Sequence, residues 1–558
     1  MSKIKVFALG GLDEADKNMY VVQINEDLLI LDCGCGYPSK PIPGVDFVVC
    51  NYDWLKERKS HIKGYILTHA HDDRILGMPY IYAECPAPVY THKFTAKILE
   101  FYTKQMGMNT KYNFVYVEKN GIINIGGIEV SVLFTTHSMP FSFGISIHTD
   151  QGQILYPSDL VIDWSIVHPA FKMDFPSLLA NKLDNVLLLM NDSTNAEIKG
   201  HNSPNYRFAP KIEPYIHHQK SRIYISIYFQ NAINLVEILE VCQKYNKTVI
   251  FSSKNLEKIV LPIIGEFNLL PGKLKTESID NINRIRSQDT VVLIVGNRLH
   301  IFDEIIRIAN GQIENKAVTF DPADLFIFAC PAFFNNDIIR TKAVDEIYRT
   351  GMQVVQYSVK EVYTPHDCEE DIKGMLSVFC PKYYMPVTGY YKSLLANAMI
   401  AIGRPQFNYS NVFVLDNGMV LEIEGGKAKV SSTEKVPCSN ILIDGIDVGN
   451  IGNNVIEERG NLANDGVVVM GVTVSSKTKQ VIGRPDVQMR GFVFLKESEK
   501  ILHEITNIFN DQVNVYLTGF YNEPAIIEEK IVERVMRYIR KETGKNPIII
   551  PKIIDLDK

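Results

Sequence analysis

The sequence predicts an α/β protein in which three kinds of segment follow one another along 558 residues. From Lys3 to Asp192, short apolar runs are separated by turn residues, a pattern typical of strands with few helices. After Arg222, strand-like and helix-like runs alternate, which favours a parallel sheet with crossover helices. Beyond about Val436, a β-rich run lies between charged helical stretches, which indicates a small α+β unit.

The first segment is predicted to be a strand-rich layer with few helices. The predicted strands are Lys5–Leu9, Met19–Ile24, Leu28–Asp32, Gly64–Thr68, Ile128–Thr136, Gly144–His148, Gln153–Tyr156 and Val186–Asn191, and the helix is Phe94–Met106.

The second segment is predicted to be an inserted parallel α/β domain. Its predicted strands are Ile223–Tyr228, Thr248–Ser252, Thr290–Val295 and Leu325–Cys330, and its helices are Ala232–Tyr245, Phe302–Ala309 and Ile338–Arg349. Strand-like Gln353–Tyr357 and Tyr383–Val387, with a helix over Glu369–Val378, are expected to return to the first domain.

The third segment opens with the run Asn440–Gly449. Strands are predicted over Gly466–Val474 and Gly491–Leu495, and helices over Glu497–Phe509 and Ala525–Lys541. Neither an internal repeat nor a low-complexity linker interrupts the sequence.

Composition excludes several classes of protein. With 46% apolar and 22% charged residues the chain can bury ample core, and nine cysteines in 558 residues do not make a small disulfide scaffold. A formal net charge of -6 provides no global basic field, so a nucleic-acid site must be a local groove. The sequence lacks a signal-peptide pattern and a long apolar run, and its scattered cysteines suit a reducing compartment, so we expect a soluble, cytoplasmic protein without membrane contact.

The strongest chemical signal follows the predicted strand Gly64–Thr68. His69, His71 and Asp73 come directly after this apolar run, and imidazole and carboxylate groups grouped at a strand end can converge on a metal ion. Taken alone, the segment Leu67–Arg74 is equally compatible with a polar turn. Two later strands also end in ligand-type side chains, His137 and Asp159, and the ordered set is far more specific than any one member.

Several further motifs accompany this set, and together they resemble a known family. They are Ala8–Gly11 with Lys17–Tyr20, Leu31–Gly34, His137–Pro140, Asn191–Glu197, Glu369–Glu370, Pro381–Gly389, Asn440–Gly449, Arg490–Ser498 and Asn546–Pro551. Across essentially its whole length the chain resembles the RNase J branch of the β-CASP ribonucleases, which have the metallo-β-lactamase fold. It looks like a degenerate second RNase J paralogue of the kind that accompanies an active form in bacteria.

The resemblance implies an αββα metallo-β-lactamase sandwich with an inserted α/β β-CASP domain and a small α+β C-terminal domain. The expected boundaries are 1–205 and 353–430 for the two parts of the metallo-β-lactamase domain and 206–352 for the insert. A linker over 431–445 and an oligomerisation domain over 446–558 complete the expected organisation.

In the family, an H-x-H-x-D-H motif, a further His, a bridging Asp and a late His hold two zinc ions. The ligand set of one ion is intact at His69, His71, His137 and Asp159. The second ion has lost both imidazoles, because the positions of the motif's last His and of the late His are Arg74 and Thr388. The resemblance therefore implies one Zn ion at most, with Mn as the alternative metal. A metal-free, hydrogen-bonded cluster remains the other interpretation of the four residues.

The catalytic residues that the resemblance implies are Asp73, Asp159 and His366, with impaired chemistry because of the lost ligands. Asp73 is expected to pair with Arg74 rather than to bind metal, and Asp192 to orient the site.

RNA contacts are implied at His366, Thr364 and Asn231. These residues correspond to the family's His-x-Ser-Gly-His loop and 5′-phosphate pocket, both of which are incomplete here. His217 and His218 are expected on a solvated surface, with RNA contact as the alternative.

Three functions are compatible with these residues. The first is an RNase J-type subunit in RNA processing and mRNA decay, which binds RNA, pairs with an active RNase J, has little activity of its own, and forms homo- or hetero-oligomers through its C-terminal domain. The second is an independent metal-dependent 5′→3′ exoribonuclease and endoribonuclease, which the lost ligands disfavour. The third is a scaffold or ribosome-associated factor that no longer cleaves RNA.

Overall fold

The structure is a computed structural model that describes residues 1–38, 42–119, 121–173, 185–298, 300–311, 320–332, 336–359, 361–362, 365–444, 447–448, 453–491, 495–519 and 523–557. The chain divides into two compact units. The first unit comprises Met1–Ser39 and Phe47–Ile441, and the second comprises Lys40–Asp46 and Leu442–Lys558. Along the described residues, no helix combines the length and the apolar character that crossing a membrane requires.

The first 116 residues form the strands β1 (Ile4–Gly10), β2 (Met19–Ile24), β3 (Asp27–Leu31), β4 (Cys35–Gly36), β5 (Phe47–Cys50), β6 (Ile62–Leu67), β7 (Val89–Thr91) and β8 (Phe114–Tyr116). The helices of this part are α1 (Asp53–Lys56), α2 (Asp72–Ile75), α3 (Met78–Glu84) and α4 (Lys93–Gln105), with a 3₁₀ turn at Lys59–His61. The next strands are β9 (Ile122–Ile125), β10 (Ile128–Phe134), β11 (Phe143–Thr149), β12 (Gly152–Tyr156) and β13 (Val186–Asp192).

The insert contains the strands β14 (Ile223–Tyr228), β15 (Thr248–Phe251), β16 (Thr290–Gly296), β17 (Leu325–Phe328) and β18 (Gln353–Gln356). Its helices are α5 (Ala209–His218), α6 (Ala232–Lys244), α7 (Lys254–Glu266), α8 (Ile301–Ala309) and α9 (Asp337–Arg349), with 3₁₀ turns at Ile279–Arg284 and Ser287–Asp289. All of the insert strands pair in parallel, in the order β15-β16-β14-β17-β18, and we call this the insert sheet.

The chain then returns to the first domain through α10 (Glu369–Phe379), β19 (Tyr383–Val387), α11 (Tyr391–Ile402), β20 (Met419–Glu424) and β21 (Lys427–Lys435). The first sheet has the order β21-β20-β1-β2-β3-β6-β7-β8, and the second sheet has the order β19-β13-β12-β11-β10-β9.

The two sheets pack face to face around one hydrophobic core. Val6 and Val22 of the first sheet and Ile145 and Leu188 of the second are buried in the same cluster. On the other face of the second sheet, Leu376 of α10 packs in a second cluster with strand residues. On the outer face of the first sheet, the ring of Phe7 contacts Trp54 of α1. The fold is therefore the αββα metallo-β-lactamase sandwich with an inserted α/β domain.

The second unit contains β23 (Asp447–Val448), α12 (Asn453–Asp465), β24 (Val467–Ser475), β25 (Gln480–Arg490), α13 (Leu495–Leu517), α14 (Pro524–Thr543) and β26 (Ile548–Asp555), and β22 (Asn440–Asp444) leads into it. The C-terminal sheet has the order β25-β24-β26. One of its faces packs on α13 and α14, where Val468 and Met470 meet Phe509 and Ile531 in a core of their own. This is the small α+β domain that the sequence predicts.

The structure corrects two expectations about boundaries, and a third falls mostly outside the described residues. Gln353–Gln356 pairs with β17, so this strand extends the insert instead of returning to the first domain. Residues 431–435 pair with β20, so the expected linker begins with part of the first sheet. The strand predicted over Gly491–Leu495 falls on residues of which 492–494 lie outside the described ones, and the partner of β24 is Gln480–Arg490.

Candidate metal centre

Four side chains meet where strands of the two sheets end. His69 and His71 follow β6, His137 follows β10, and Asp159 follows β12. One ligand-type atom from each of them lies within 4.8 Å of the others. The four residues of the predicted metal set are thus brought together; we call them the metal cage.

The size of the cage matches one ion. His69 Nε2 lies 3.1 Å from His71 Nδ1 and 3.4 Å from Asp159 Oδ2. His137 Nε2 lies 3.4 Å from His71 Nδ1 and 3.9 Å from Asp159 Oδ2. A tetrahedral zinc site with bonds of about 2.0–2.1 Å has ligand atoms about 3.4 Å apart, so the cage needs little adjustment to hold zinc.

Hydrogen bonds to the outer ring nitrogens of His71 and His137 show which of their ring nitrogens carry lone pairs into the cage. His71 Nε2 lies 3.0 Å from the carbonyl oxygen of Gln230, and His137 Nδ1 lies 2.9 Å from that of Pro365. Because a carbonyl oxygen only accepts, each of these nitrogens donates a hydrogen and the opposite nitrogen carries a lone pair. His71 Nδ1 and His137 Nε2, which lie 3.4 Å apart, therefore face each other with lone pairs inside the cage, an arrangement that a cation stabilises.

Burial keeps the three imidazoles neutral, as ligation requires. Burial lowers the pKa of His71 to about 4. Burial and then the neighbouring rings also lower the pKa of His69 and of His137 well below the usual value. The residues present therefore fit a metal ion of the borderline type that binds imidazole and carboxylate together.

Arg74 is the feature that separates this centre from a two-metal site. Its side chain is fully buried, and its Nη2 donates to Asp159 Oδ1 and, over 3.1 Å, to Thr388 Oγ1. Nη1 donates to Tyr156 Oη over 2.7 Å and to Asp32 over 3.3 Å, and Nε lies 3.3 Å from Asp73 Oδ2. Burial opposes the charge, but Asp159, Tyr156 and Asp73 raise the pKa of Arg74 well above its usual value, so the guanidinium stays charged.

Asp159 connects the cage with the guanidinium. Its Oδ2 faces the histidines, while its Oδ1 accepts from Arg74. Burial raises the pKa of Asp159, and the Arg74 guanidinium opposes that shift. The carboxylate that bridges two metals in the family thus contacts the cage on one side and a guanidinium on the other.

Asp73 and Thr388, which stand at second-ion positions in the resemblance, both lie at the guanidinium. Asp73 Oδ2 accepts a 2.8 Å hydrogen bond from Asn18 Nδ2 in addition to its contact with Arg74. Thr388 has a φ of 56°, an unusual backbone for a β-branched residue, and its amide donates to Tyr20 Oη over 3.0 Å. The expected pairing of Asp73 with Arg74 agrees with this geometry.

His366 lies beside the cage, with its ring 5.1 Å from that of His137. Its Nδ1 lies 2.7 Å from Asp192 Oδ2. Burial opposes protonation, but the charge of Asp192 raises the pKa of His366 to about 9, so this ring is a cation near neutral pH. Asp159, Asp192 and His366 form a second group whose ligand-type atoms lie within 4.8 Å of one another.

Two predicted RNA residues have different positions. Asn231 precedes α6 and directly follows Gln230, whose carbonyl oxygen contacts His71, so it lies next to the cage. Thr364 lies outside the described residues. His217 and His218 are exposed at the end of α5, as expected for a solvated surface.

The hydrogen-bond partners of Arg74 and Asp72 were not predicted from the sequence. Asp32 and Tyr156 contact the guanidinium, and Asp72 Oδ2 accepts from Tyr37 Oη over 2.9 Å and from Gln230 Nε2. Tyr156 ends an apolar strand, as an ordinary core residue would, so no sequence pattern distinguishes it as a partner of Arg74. An aspartate directly after a buried strand, as at Asp32, was a usable signal.

Comparison with known proteins agrees with this fold and centre. The profile of the metallo-beta-lactamase superfamily matches residues 12–201, and that of the ribonuclease J C-terminal domain matches residues 454–556. A crystal structure of a protein of unknown function from Enterococcus faecalis V583 aligns with a TM-score of 0.53 at 15% identity, covering 75% of this chain and 100% of that one. Residues 12–201 therefore match a metallo-β-lactamase superfamily domain.

Curated relatives narrow this class. Ribonuclease J 2 of Staphylococcus saprophyticus is 29% identical over 555 residues, covering 99% of this chain and 98% of the relative. Ribonuclease J 2 of Staphylococcus aureus is 28% identical over the same length and shares. The chain is therefore similar over nearly its full length to proteins named ribonuclease J 2, and residues 454–556 match the ribonuclease J C-terminal domain.

Proposed function

We propose that this chain is an RNA-binding RNase J-type subunit that holds one metal ion, has weak or no hydrolytic activity of its own, and pairs with an active RNase J in RNA processing and mRNA decay. The observation that carries the proposal is the position of Arg74. Its buried guanidinium contacts Asp159, Asp73 and Thr388, the residues that the resemblance assigns to the second ion.

Electrostatics argues against a second ion beside this guanidinium. A divalent cation about 4 Å from a fixed positive charge is repelled by roughly 8 kcal/mol at an effective dielectric constant of 20. Asp159 Oδ1 and Thr388 Oγ1 already accept from Arg74, so these oxygens are not available as ligands without its displacement. Occupancy by one Zn ion, or by Mn, is the state that the residues favour.

The remaining residues support slow chemistry at most. A metal ion in the cage would supply Lewis acidity toward a phosphodiester and lower the pKa of water. Arg74 stabilises negative charge but cannot release a proton, so it does not provide a nucleophile. His366 and Asp192 hold a proton close to the cage, where it can serve a leaving oxygen.

The similarity to ribonuclease J proteins and the second unit support the proposed RNA binding and partnering. The relatives are named ribonucleases, so RNA is the substrate class that their names supply. The match to the ribonuclease J C-terminal domain supports oligomer formation through residues 454–556, which the resemblance assigns to that domain. We therefore propose an active RNase J as the partner.

The alternative is an independently active metal-dependent exo- and endoribonuclease. The complete metal cage and the pair His366–Asp192 favour it, because a hydrolytic centre needs a metal site and a proton donor close to it.

One experiment separates the two. The purified chain, Asp159→Asn and the double variant Arg74→His/Thr388→His are incubated with 5′-monophosphorylated RNA and Zn²⁺ or Mn²⁺, and bound metal is counted by mass spectrometry. Thr388→Ser is the matched control. We expect about one ion and little degradation for the wild type, and a second ion with faster degradation for the double variant.

Two results would contradict the proposal. Degradation by the wild type that is lost in Asp159→Asn establishes an active centre despite Arg74. A double variant that folds, as judged by circular dichroism, but binds no additional ion shows that Arg74 and Thr388 do not mark the second-ion position.

A further inference from the structure

A basic pocket lies on the insert, away from the metal cage. It encloses a cavity of about 480 Å³ whose lining includes Lys244, Lys247, Lys273 and Lys275. The whole chain has a net charge of -6, so a concentration of four lysines around one cavity stands out from the average surface. We call this the lysine pocket.

Backbone contacts fix the shape of the lysine pocket. The amide of Val249 in β15 donates to the carbonyl oxygen of Lys275 over 2.9 Å, so the segment that carries Lys273 and Lys275 runs along an edge of the insert sheet. Lys247 Nζ donates to the carbonyl oxygen of Gln288 over 2.6 Å. The lysines therefore belong to an ordered concavity and not to a loose surface loop.

The acidic groups nearby leave a positive balance. Glu240 lines the pocket, Glu213 pairs with Lys244, and the negative charge of Asp289 acts on Lys247, so four lysines face three carboxylates. Lys273 and Lys275 are exposed, and neither makes an ion pair with any residue that the structure describes. Two of the lysines are therefore available to an anionic ligand.

Aromatic rings continue from one side of the pocket. The ring of Tyr245 lies 4.6 Å from that of His217, which lies 4.3 Å from that of His218. Lys244 Nζ lies 5.5 Å from the centre of the Tyr245 ring, so the row of rings adjoins the lysines. Cationic groups beside exposed rings are the combination with which proteins bind single-stranded nucleic acids, phosphates to the cations and bases to the rings.

The pocket lies at the opposite end of the insert sheet from the metal cage. Thr248 begins β15 and pairs with Thr290, while Val291 pairs with Ile223 at the start of β14, so Lys247 is level with that start. The other end of β14 leads to Gln230, which contacts His71. Six strand residues span roughly 20 Å, so a single strand of several nucleotides can reach from the pocket toward the metal cage.

We infer that the lysine pocket and the adjoining rings form a second RNA site, which holds the backbone of a single strand whose other part reaches the metal cage. This inference rests on the RNA binding proposed above and adds where on the insert that binding is made. The lysines add attraction for a polyanion at a distance from the centre, where Arg74 is already paired with carboxylates.

The test compares RNA affinity at several salt concentrations by fluorescence anisotropy, with a labelled 30-nucleotide single strand and the full-length chain. Lys273→Ala/Lys275→Ala removes the two exposed lysines, and Lys477→Ala/Lys479→Ala, in the exposed turn between β24 and β25, is the control with equal charge loss. We expect the first variant to bind about ten-fold more weakly, with a slope of log K against log salt smaller by about 1.4, and the control to bind like the wild type.

Each other outcome overturns the inference in a distinct way. If Lys273→Ala/Lys275→Ala has the affinity and salt slope of the wild type, the lysine pocket is not an RNA site. RNA binding by the wild type would still support the proposed function. No RNA binding by the wild type overturns both. Normal RNA affinity together with lost association with an active RNase J assigns the pocket to a protein partner instead.

Discussion

Burial of the Asp16 carboxylate destabilises its charged form. Only the amide of Tyr37, at 3.2 Å, is a described hydrogen-bond donor to it, and Glu14 and Asp73 add negative charge nearby. Burial and then Glu14 raise the pKa of Asp16 to about 6, although Lys17 opposes the shift. Because the folded-state pKa exceeds the unfolded one, the protonated form favours folding, and this contribution decreases as the pH rises from about 4 to 6.

The raised pKa of Asp16 predicts that removing its charge stabilises the fold. Asp16→Asn removes the buried charge at constant size, so we expect a gain of about 1–3 kcal/mol in the free energy of unfolding at pH 7.5. At pH 5 the wild-type carboxyl is largely protonated in the fold, so the gain should shrink to about half. Urea unfolding at both pH values measures it. A gain that is independent of pH would mean that the charge of Asp16 is not the cause.

The metal cage could be predicted from sequence because each of its residues directly follows an apolar strand, and strand ends in such a sandwich meet at one edge. Tyr156 and Asp32 could not be predicted as partners of Arg74, because the contact depends on how β12 and β3 face each other across the core. Arg74 itself was recognisable only through the resemblance.

At the scale of single elements, the N-terminus of α10 organises the loop that carries His366. The carboxylate of Asp371 accepts from the amides of Cys368, over 3.1 Å, and Asn202, over 3.0 Å. Asn202 Nδ2 in turn donates to the carbonyl oxygen of His366 over 2.7 Å. One buried carboxylate thus joins the helix start, the segment before the insert and the loop that carries His366.

Asp371→Ala should therefore destabilise the chain by about 1–3 kcal/mol, since it leaves two buried amides without an acceptor. The matched control is Glu370→Ala, whose side chain is partly exposed and pairs with Lys373, and which should cost less than about 1 kcal/mol. Urea unfolding of both variants tests this. Equal effects would show that Asp371 is only a surface charge of the helix.

Elements with a strong apolar pattern were predictable, and weakly patterned ones were not. The strands β2 and β14 have the predicted bounds. The strand Gln480–Arg490 went unrecognised because its polar residues alternate with few apolar ones and several are exposed. The helix Lys254–Glu266 contains Pro262, which weakens a helical pattern. The pairing of Gln353–Gln356 with β17 is a long-range choice that its four residues do not encode.

At the scale of the whole molecule, the chain has separate cores. The core of the second unit includes Ile531, Ile505 and Val535, and none of these residues belongs to the clusters of the first unit among the described residues. Each core therefore has its own stability, and the sequence predicted this division from the change of pattern after Val436.

Ile531→Ala tests that separation. Its side chain is fully buried between α14 and the C-terminal sheet, so the change should cost about 2–5 kcal/mol in the stability of the second unit. Differential scanning calorimetry should show that the unfolding transition of the second unit moves to a lower temperature than in the wild type. Zinc titration of the folded variant should show unchanged zinc affinity. A reduced zinc affinity at a temperature where both units are folded would contradict independent cores.

The pairing of β1 with β20 has a consequence for synthesis. Ile4 aligns with Ile423, so β1 must await a partner strand that is made about 420 residues later in translation. At about 5–20 residues per second this delay lasts roughly 20–80 s. During it the insert sheet, whose pairings all lie between residues 223 and 356, can fold first. The nascent chain therefore needs protection for an apolar edge that the finished protein no longer exposes.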